Sequence, residues 1–420
     1  MIRILLIVDA NAFLRIGGLP LWSRLARTLR QLGDAPIHVV LGDGLRRRMP
    51  TVEIENPRDR IDAVTIIDDG SRVTAATVLA TLPVTTTTAL IVPADRLIDP
   101  RILKRIEELR PPVVAIDSRA DGIAPRCGPV LVDRSWLDSH PGDFDEQVER
   151  GLEQNSLPTL DIDRMPTYAS HLRRDLRPFC LPAPTAQGWR TATRALLDST
   201  QKGALDLPAI AHAPIEKTVA WWLADSSITP NQITVATNIV AWSATYLLFS
   251  GHLAWGLALA LLVGVLDGVD GKLARLRLET SRLGELEHWA DFFYEWSWWA
   301  ALAYHLSASG QLATAWRSFV LLALVEIADG GAKLLNLRTF GRTIDEMGAF
   351  DRALRLVGGR RNVYVWLLTL GTVLGKTAST FTLLPWLQGA TAVIHWLRIG
   401  WLLRDRRRYA TPTTTGEPAS

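Results

Sequence analysis

Cysteine is nearly absent: Cys127 and Cys180 are the two in 420 residues. That excludes a disulfide-built scaffold and a cysteine metal cluster, and it suits free structural thiols in a reducing compartment. Strong charge of one sign is also missing. A net charge of +3, from 46 basic and 43 acidic residues, gives no electrostatic case for a nucleic-acid partner. The first residues lack the charged start, long apolar core and small-residue cleavage site of a signal peptide, so none is expected. The early apolar run Ile4–Val8 is too short to span a bilayer. Tryptophan, by contrast, is abundant and one-sided, with thirteen of sixteen beyond residue 217. The length allows two or three domains, and the halves differ in kind.

In residues 1–182, short apolar runs alternate with helical patterns. Ile4–Val8, Ile37–Leu41, Ala63–Ile67, Ala89–Val92 and Val113–Ile116 read as strands; Leu21–Leu32 and Ile102–Leu109 read as helices. This alternation predicts an α/β domain with a mainly parallel sheet covered on both faces. Prolines at 182, 184, 208 and 214 mark residues 183–214 as a linker with one helix near Trp189–Leu197.

From residue 215 the pattern changes. Ile215–Leu223, with tandem Trp221 and Trp222, reads as an interfacial helix. Thr229 can cap a helix that begins with Pro230. Hydropathy then predicts an all-α domain to residue 409 with six transmembrane helices, at about 232–249, 253–270, 285–305, 312–330, 361–379 and 382–402. Residues 410–420 read as a disordered tail. The turns near Gly251, Ser307 and Ser379 carry few basic residues. The turn after Asp270 holds Lys272, Arg275, Arg277 and Arg282, and the segment between spans four and five is rich in arginine. By the positive-inside rule the N-terminal half and the turn after Asp270 face the cytoplasm, with a multi-pass chain in the cytoplasmic membrane.

That turn is the chemical centre of the sequence. Asp267 and Asp270 are three apart at the end of one apolar segment; Glu287 and Asp291 are four apart at the start of the next. On helices both spacings place side chains on one face. Four converging carboxylates repel unless a cation is shared between them, and all-oxygen donors favour Mg2+ or Mn2+. The bland alternative is that the acids snorkel or pair with Arg275 and Arg282. The aromatic run from Trp289 to Trp299 reads as packing and lipid-facing surface, and His305 and His395 as packing residues.

Asp267, Asp270, Gly271, Ala274, Arg275 and Gly284 follow the spacing D-x2-D-G-x2-A-R-x8-G, and the stretch resembles the signature of the CDP-alcohol phosphotransferase family. Thr229-Pro-Asn-Gln-Ile-Thr234 resembles the same family's T-P-N-x-x-T segment. The family's last two aspartates fall on Glu287 and Asp291 with a one-residue deletion after Gly284, or on His288 and Phe292 without it. Glu287 is the preferred third ligand and His288 the alternative. The resemblance implies a two-metal Mg2+ or Mn2+ site on Asp267, Asp270, Glu287 and Asp291, with Asp291 as general base. It implies nucleotide contacts at Gly271, Ala274, Arg275 and Gly284, a CDP-alcohol donor, a hydroxyl acceptor, release of CMP and a homodimer. Arg361 and Lys376 are candidates for an acceptor phosphate.

Gly18-Leu-Pro-Leu-Trp22 and the segment Pro93–Pro100, with Asp95 and Asp99, resemble the sugar-nucleotidyltransferase family. The phosphate loop departs from it: Asp9–Gly18 keeps Arg15 and the late glycines, without a lysine before Pro20. A degenerate nucleotidyltransferase-like domain is therefore expected. The domain order resembles that of bifunctional inositol-1-phosphate cytidylyltransferase/di-myo-inositol-phosphate-phosphate synthases.

Overall fold

The computed structural model describes residues 1–48, 61–68, 72–83, 85–118, 127–182, 186–203, 205–279 and 284–404, without the side chains of 127, 186–188 and 284–289. The predicted tail lies outside the described residues. The chain forms two compact units. The first comprises Met1–Thr200, Ala224–Ser226 and Arg275–Glu279; the second holds the rest.

The first unit is built on a seven-stranded sheet. In chain order its elements are β1 (Ile2–Ile7), α1 (Leu21–Gln31), β2 (Ile37–Gly42), β3 (Ala63–Ile67), α2 (Ala75–Thr81), β4 (Thr88–Pro93), α3 (Pro100–Glu107), β5 (Val113–Ile116), β6 (Cys127–Asp133), α4 (Arg134–Ser139), α5 (Phe144–Glu153) and β7 (Thr159–Asp161). The strand order is β7-β5-β6-β4-β1-β2-β3. All pairings are parallel except those of β6, which runs antiparallel to both β4 and β5. Every residue of β1 is buried, as expected of a central strand covered on both faces. Leu5, Ile7, Val39 and Val92 pack under Trp22 and Leu25 of α1, while Ile4, Leu6 and Val40 share the other face with Trp136 and Phe144. Aspartates start the helices: Asp99, Asp133 and Asp143 each accept a backbone N–H in the first turn of α3, α4 and α5. Leu5→Ala is expected to destabilise this unit by about 2–5 kcal/mol. Lost hydrogen-exchange protection across β1 and β2 would report it.

After α6 (Ala186–Thr200), the second unit is helical: α7 (Leu207–Ala224), α8 (Pro230–Phe249), α9 (Leu253–Leu276), α10 (Gly284–Ala308), α11 (Ala315–Phe340), α12 (Ala349–Val357), α13 (Arg361–Val373) and α14 (Thr377–Arg404). Thr229 caps α8 in a capping box with Gln232, with Pro230 in the first turn, as the sequence predicts. Tyr294, Trp298 and Trp299 of α10 fill the core with Tyr364 and Phe381, and the Trp298 indole donates to the Ala241 carbonyl of α8 (2.9 Å). Phe292 and Phe293 of the same aromatic run are exposed. Between α11 and α14, buried Asp329 takes bonds from Lys333 (2.6 Å), His395 and Gln388 (3.2 Å).

Two sequence expectations change. The fifth and sixth predicted spans divide at a turn around Gly375, not near Ser379, because Gly375 adopts a left-handed φ of +69° that ends the helix after Val373. Among the described residues one helix, Leu253–Leu276, is both long and apolar enough to cross a membrane. The others are shorter or diluted by tryptophan, tyrosine, threonine and charge.

Candidate active site

Asp267 and Asp270 lie near the C-terminal end of α9, and Asp291 lies in the second turn of α10. Arg361, the first residue of α13, joins them. One of its terminal nitrogens donates to Asp267 Oδ2 (2.6 Å); the other donates to the Tyr294 hydroxyl (2.6 Å) and stands 4.0 Å from Asp291 Oδ2. Its guanidinium also lies over the Tyr294 ring, 5.4 Å from the centroid. A single cation thus sits between carboxylates from two helices. Asp270 is turned towards α8, where its Oδ2 accepts from the Thr234 hydroxyl (2.8 Å).

The donor chemistry suits a hard divalent ion: two carboxylates from different helices already share one positive charge, and a third carboxylate stands one turn from the first. Among the described residues no group of three His, Cys, Asp or Glu is close enough to hold a metal. The Glu287 and His288 side chains lie outside the described residues, so the choice between them stays where the sequence leaves it. Gly271 and Ala274 follow Asp270 on α9, and Gly284 opens α10. Arg275 donates to the Thr200 carbonyl (2.7 Å). Lys376 is not brought in. It sits exposed beyond the far end of α13, and that thirteen-residue helix separates it from Arg361 by roughly 20 Å.

Sequence reasoning gave three residues no part in the packing around these acids. Tyr294 is three residues after Asp291, a spacing that puts both on one helix face. Thr234 closes the T-P-N-x-x-T segment. Lys272, counted above among the cytoplasmic positive charges, is instead buried in an ion pair with Glu216 of α7. No spacing rule links residues 216 and 272. An open, apolar groove of about 780 Å³ runs along α8 from Thr234 through Asn238 and Trp242 to Leu247.

In the first unit the segment expected to be a degenerate phosphate loop, Asp9–Gly18, ends in a tight turn. Gly17 and Gly18 hold φ of +57° and +85°. A Cβ on Gly18 would lie 2.1 Å from the Ala224 carbonyl oxygen, which belongs to the same unit, so the close backbone packing there requires glycine. Asp95 pairs with Arg96 (2.9 Å), and Asp99 caps α3 and pairs with Arg101 (2.8 Å). Cys180 is a free thiol whose pKa burial pushes up to about 11. Its alkylation by iodoacetamide at pH 8 is expected to run about 10²-fold slower than that of an exposed cysteine, followed by intact-mass spectrometry.

The sequence profile of the CDP-alcohol phosphatidyltransferase family matches residues 227–402. Two curated relatives carry the name bifunctional IPC transferase and DIPP synthase. The one from Aquifex aeolicus is 26% identical over 210 residues, 49% of this chain and 47% of its own length. The one from Rubrobacter xylanophilus is 33% identical over 158 residues, 36% of this chain and 33% of its own. The chain thus spans half or less of the length of these relatives. A phosphatidylinositol phosphate synthase from Mycobacterium tuberculosis, solved with CDP-DAG bound, aligns over 49% of this chain and 100% of its own at 16% identity and a TM-score of 0.35. The C-terminal half of the chain carries a CDP-alcohol phosphatidyltransferase domain.

Proposed function

We propose that the chain is an integral-membrane CDP-alcohol phosphotransferase. Residues 215–409 would form the catalytic membrane domain, joined through residues 183–214 to a nucleotidyltransferase-like domain at 1–182. The observation that carries this reading is the Arg361 bridge between Asp267 and Asp291, inside the segment that matches the family. Asp267, Asp270 and Asp291, with Glu287 or His288, would hold Mg2+ or Mn2+. Bound there, the metal would neutralise the pyrophosphate and the leaving CMP. Asp291 would take the proton of the acceptor hydroxyl as the acceptor oxygen bonds to the transferred phosphorus and the bond to CMP breaks. Arg361, once released by the acids, would be free to bind an acceptor phosphate. Gly271 and Ala274, being small, would leave space beside Asp270 for the nucleotide.

Outward-facing Trp222, Trp255, Trp386, Val373 and Leu397, each at least 69% exposed, present the apolar surface of a chain solvated by lipid. The groove beside α8 offers an acyl chain a bed next to Thr234, which supports a phosphatidyl donor and a role in phospholipid synthesis. Charge asymmetry supports a cytoplasmic site and N-terminal domain in the cytoplasmic membrane. The family resemblance supports a homodimer.

The test is CMP release by detergent-purified protein with Mg2+ or Mn2+, using CDP-diacylglycerol and CDP-inositol as donors and pooled lipid and polyol-phosphate acceptors. Release from either donor supports the reading. No release from any donor, together with no CDP binding, would leave a membrane scaffold. A bifunctional enzyme that makes its own CDP-alcohol is the second reading, favoured by the names of both relatives. It requires CTP-dependent pyrophosphate release by the full chain, and the departure of Asp9–Gly18 from the family's phosphate loop opposes it.

A further inference from the structure

We infer that Gln388 is a positioning residue for Arg361: anchored on Asp329, it fixes the start of α13 and so sets where the guanidinium stands once a cation has taken the acids. The inference rests on the metal-dependent reading above and deepens it.

Gln388, Thr391 and His395 follow one another along α14 at spacings of three and four, so they share one face of that helix. All three are buried. The Gln388 side chain is 1% exposed, and both of its polar ends are used. Its Nε2 donates to Asp329 Oδ2 of α11 (3.2 Å), and its Oε1 accepts from the Tyr364 hydroxyl of α13 (2.7 Å). Asp329 also takes Lys333 of its own helix and His395 of α14, so the carboxylate on which Gln388 rests is held from two sides. Polar groups in an apolar interior are costly unless each finds a partner. Gln388 supplies that partner to a carboxylate on one helix and a hydroxyl on another.

The hydroxyl belongs to the first turn of α13. Tyr364 stands three residues after Arg361, and Gly359 stands two before it. A Cβ on Gly359 would lie 1.8 Å from Gln388 Oε1 and 2.5 Å from the Tyr364 hydroxyl, so bare backbone is needed for the chain to pass. The Gly359 N–H then donates to the Thr391 hydroxyl (2.9 Å). The backbone is thus tied to α14 on both sides of Arg361.

Those ties matter because the side-chain ties are temporary. Arg361 meets Asp267, Asp291 and Tyr294, and a cation entering between the acids takes the first two away. What then aims the guanidinium is Tyr294 and the backbone from which it grows. That backbone is held by groups the cation does not touch. A displacement of about 1 Å at a phosphate-binding fork can cost about 10²-fold. Gln388 acts on the acceptor through Arg361, without touching it.

The experiment uses the full chain in detergent with Mn2+, CDP-diacylglycerol or CDP-inositol as donor, and glycerol 3-phosphate and inositol 1-phosphate as acceptors. Initial CMP release against acceptor concentration separates KM from kcat. Amide hydrogen exchange across residues 359–364 is followed in the same preparations. Gln388→Leu removes both polar ends. It is expected to raise the acceptor KM about tenfold while kcat changes less than about threefold, with faster exchange at 359–364. In an Arg361→Gln background the same substitution is expected to change KM less than about twofold, because no guanidinium is left to misplace. Tyr364→Phe keeps the ring and loses the hydroxyl alone. It is expected to raise KM about threefold or more, and it stands in should Gln388→Leu not fold. A wild-type KM in either variant, or an equal rise in the Arg361→Gln background, overturns the inference. So does wild-type release with unphosphorylated acceptors alone, since Arg361 then meets no acceptor phosphate. Wild-type protein that releases no CMP from either donor overturns the transferase reading as well; active wild type with indifferent variants overturns the positioning role alone.

Discussion

Asp291→Asn is expected to lower metal-dependent CMP release by about 10³-fold while the fold persists. The substitution keeps the shape of the side chain and removes both its charge and its capacity to take a proton. Asp291 is the acid that Arg361 approaches without clasping: the closest nitrogen is 4.0 Å away, whereas Asp267 is held at 2.6 Å. Because asparagine keeps the shape, the change is expected to cost little in packing and most of the proton transfer. Asp270→Ala is expected to match it in size for another reason, since it removes a proposed ligand and the carboxylate to which the Thr234 hydroxyl donates. Near-wild-type release in the Asp291 variant, with folding checked by thermal melting, would move the general base elsewhere.

Arg361→Gln has the second largest expected effect, and it has two signs. In the structure the guanidinium compensates Asp267 from close by and Asp291 at the edge of contact, so a cation entering between them must displace it. Without that competitor, Mn2+ affinity in the absence of substrate is expected to rise about tenfold, given that unit charges about 4 Å apart near a protein surface interact by several kcal/mol. The same change removes the group proposed to meet the acceptor phosphate. Hence kcat/KM for a phosphorylated acceptor is expected to fall about 10²-fold. Mn2+ titration by paramagnetic resonance and initial rates against acceptor concentration report the two signs separately. A variant that lost both Mn2+ affinity and rate would show Arg361 to be a structural bridge only.

Much of this arrangement is legible in the residues. The mostly apolar runs at Ile37–Leu41 and Val113–Ile116 announce strands because a covered sheet leaves little polar face to alternate, and Ala63–Ile67 reads the same way although it is the half-exposed edge. Strand β6 escapes that reading: Cys127-Gly-Pro interrupts its start, and nothing in an apolar run tells its direction. Helix α7 is seen from the sequence in its second half alone, at Ile215–Leu223. Pro214 reads as a breaker there, but the helix begins at Leu207, where Asp206 accepts the Ala209 N–H (2.9 Å). At the site, Asp267, Asp270 and Asp291 announce themselves by spacing along single helices, and Arg361 by its place at a helix start. Thr234, Tyr294 and the Glu216–Lys272 pair act across helices, and such partnerships belong to packing, which no local period encodes.

The shortness of α13 bears on where the chemistry takes place. Thirteen residues rise about 20 Å, while the hydrocarbon core of a bilayer is about 30 Å thick. In the membrane placement proposed above, with the Gly375 turn at the far surface, Arg361 and the acids it bridges would sit about 10 Å below the near headgroups. Lipid next to such a helix thins to meet it. A lipid donor would then lower its headgroup into the protein rather than rise out of the membrane, and the soluble product would leave upward into water. In that placement the acyl-chain length of the surrounding bilayer would become a control on how deep that site lies.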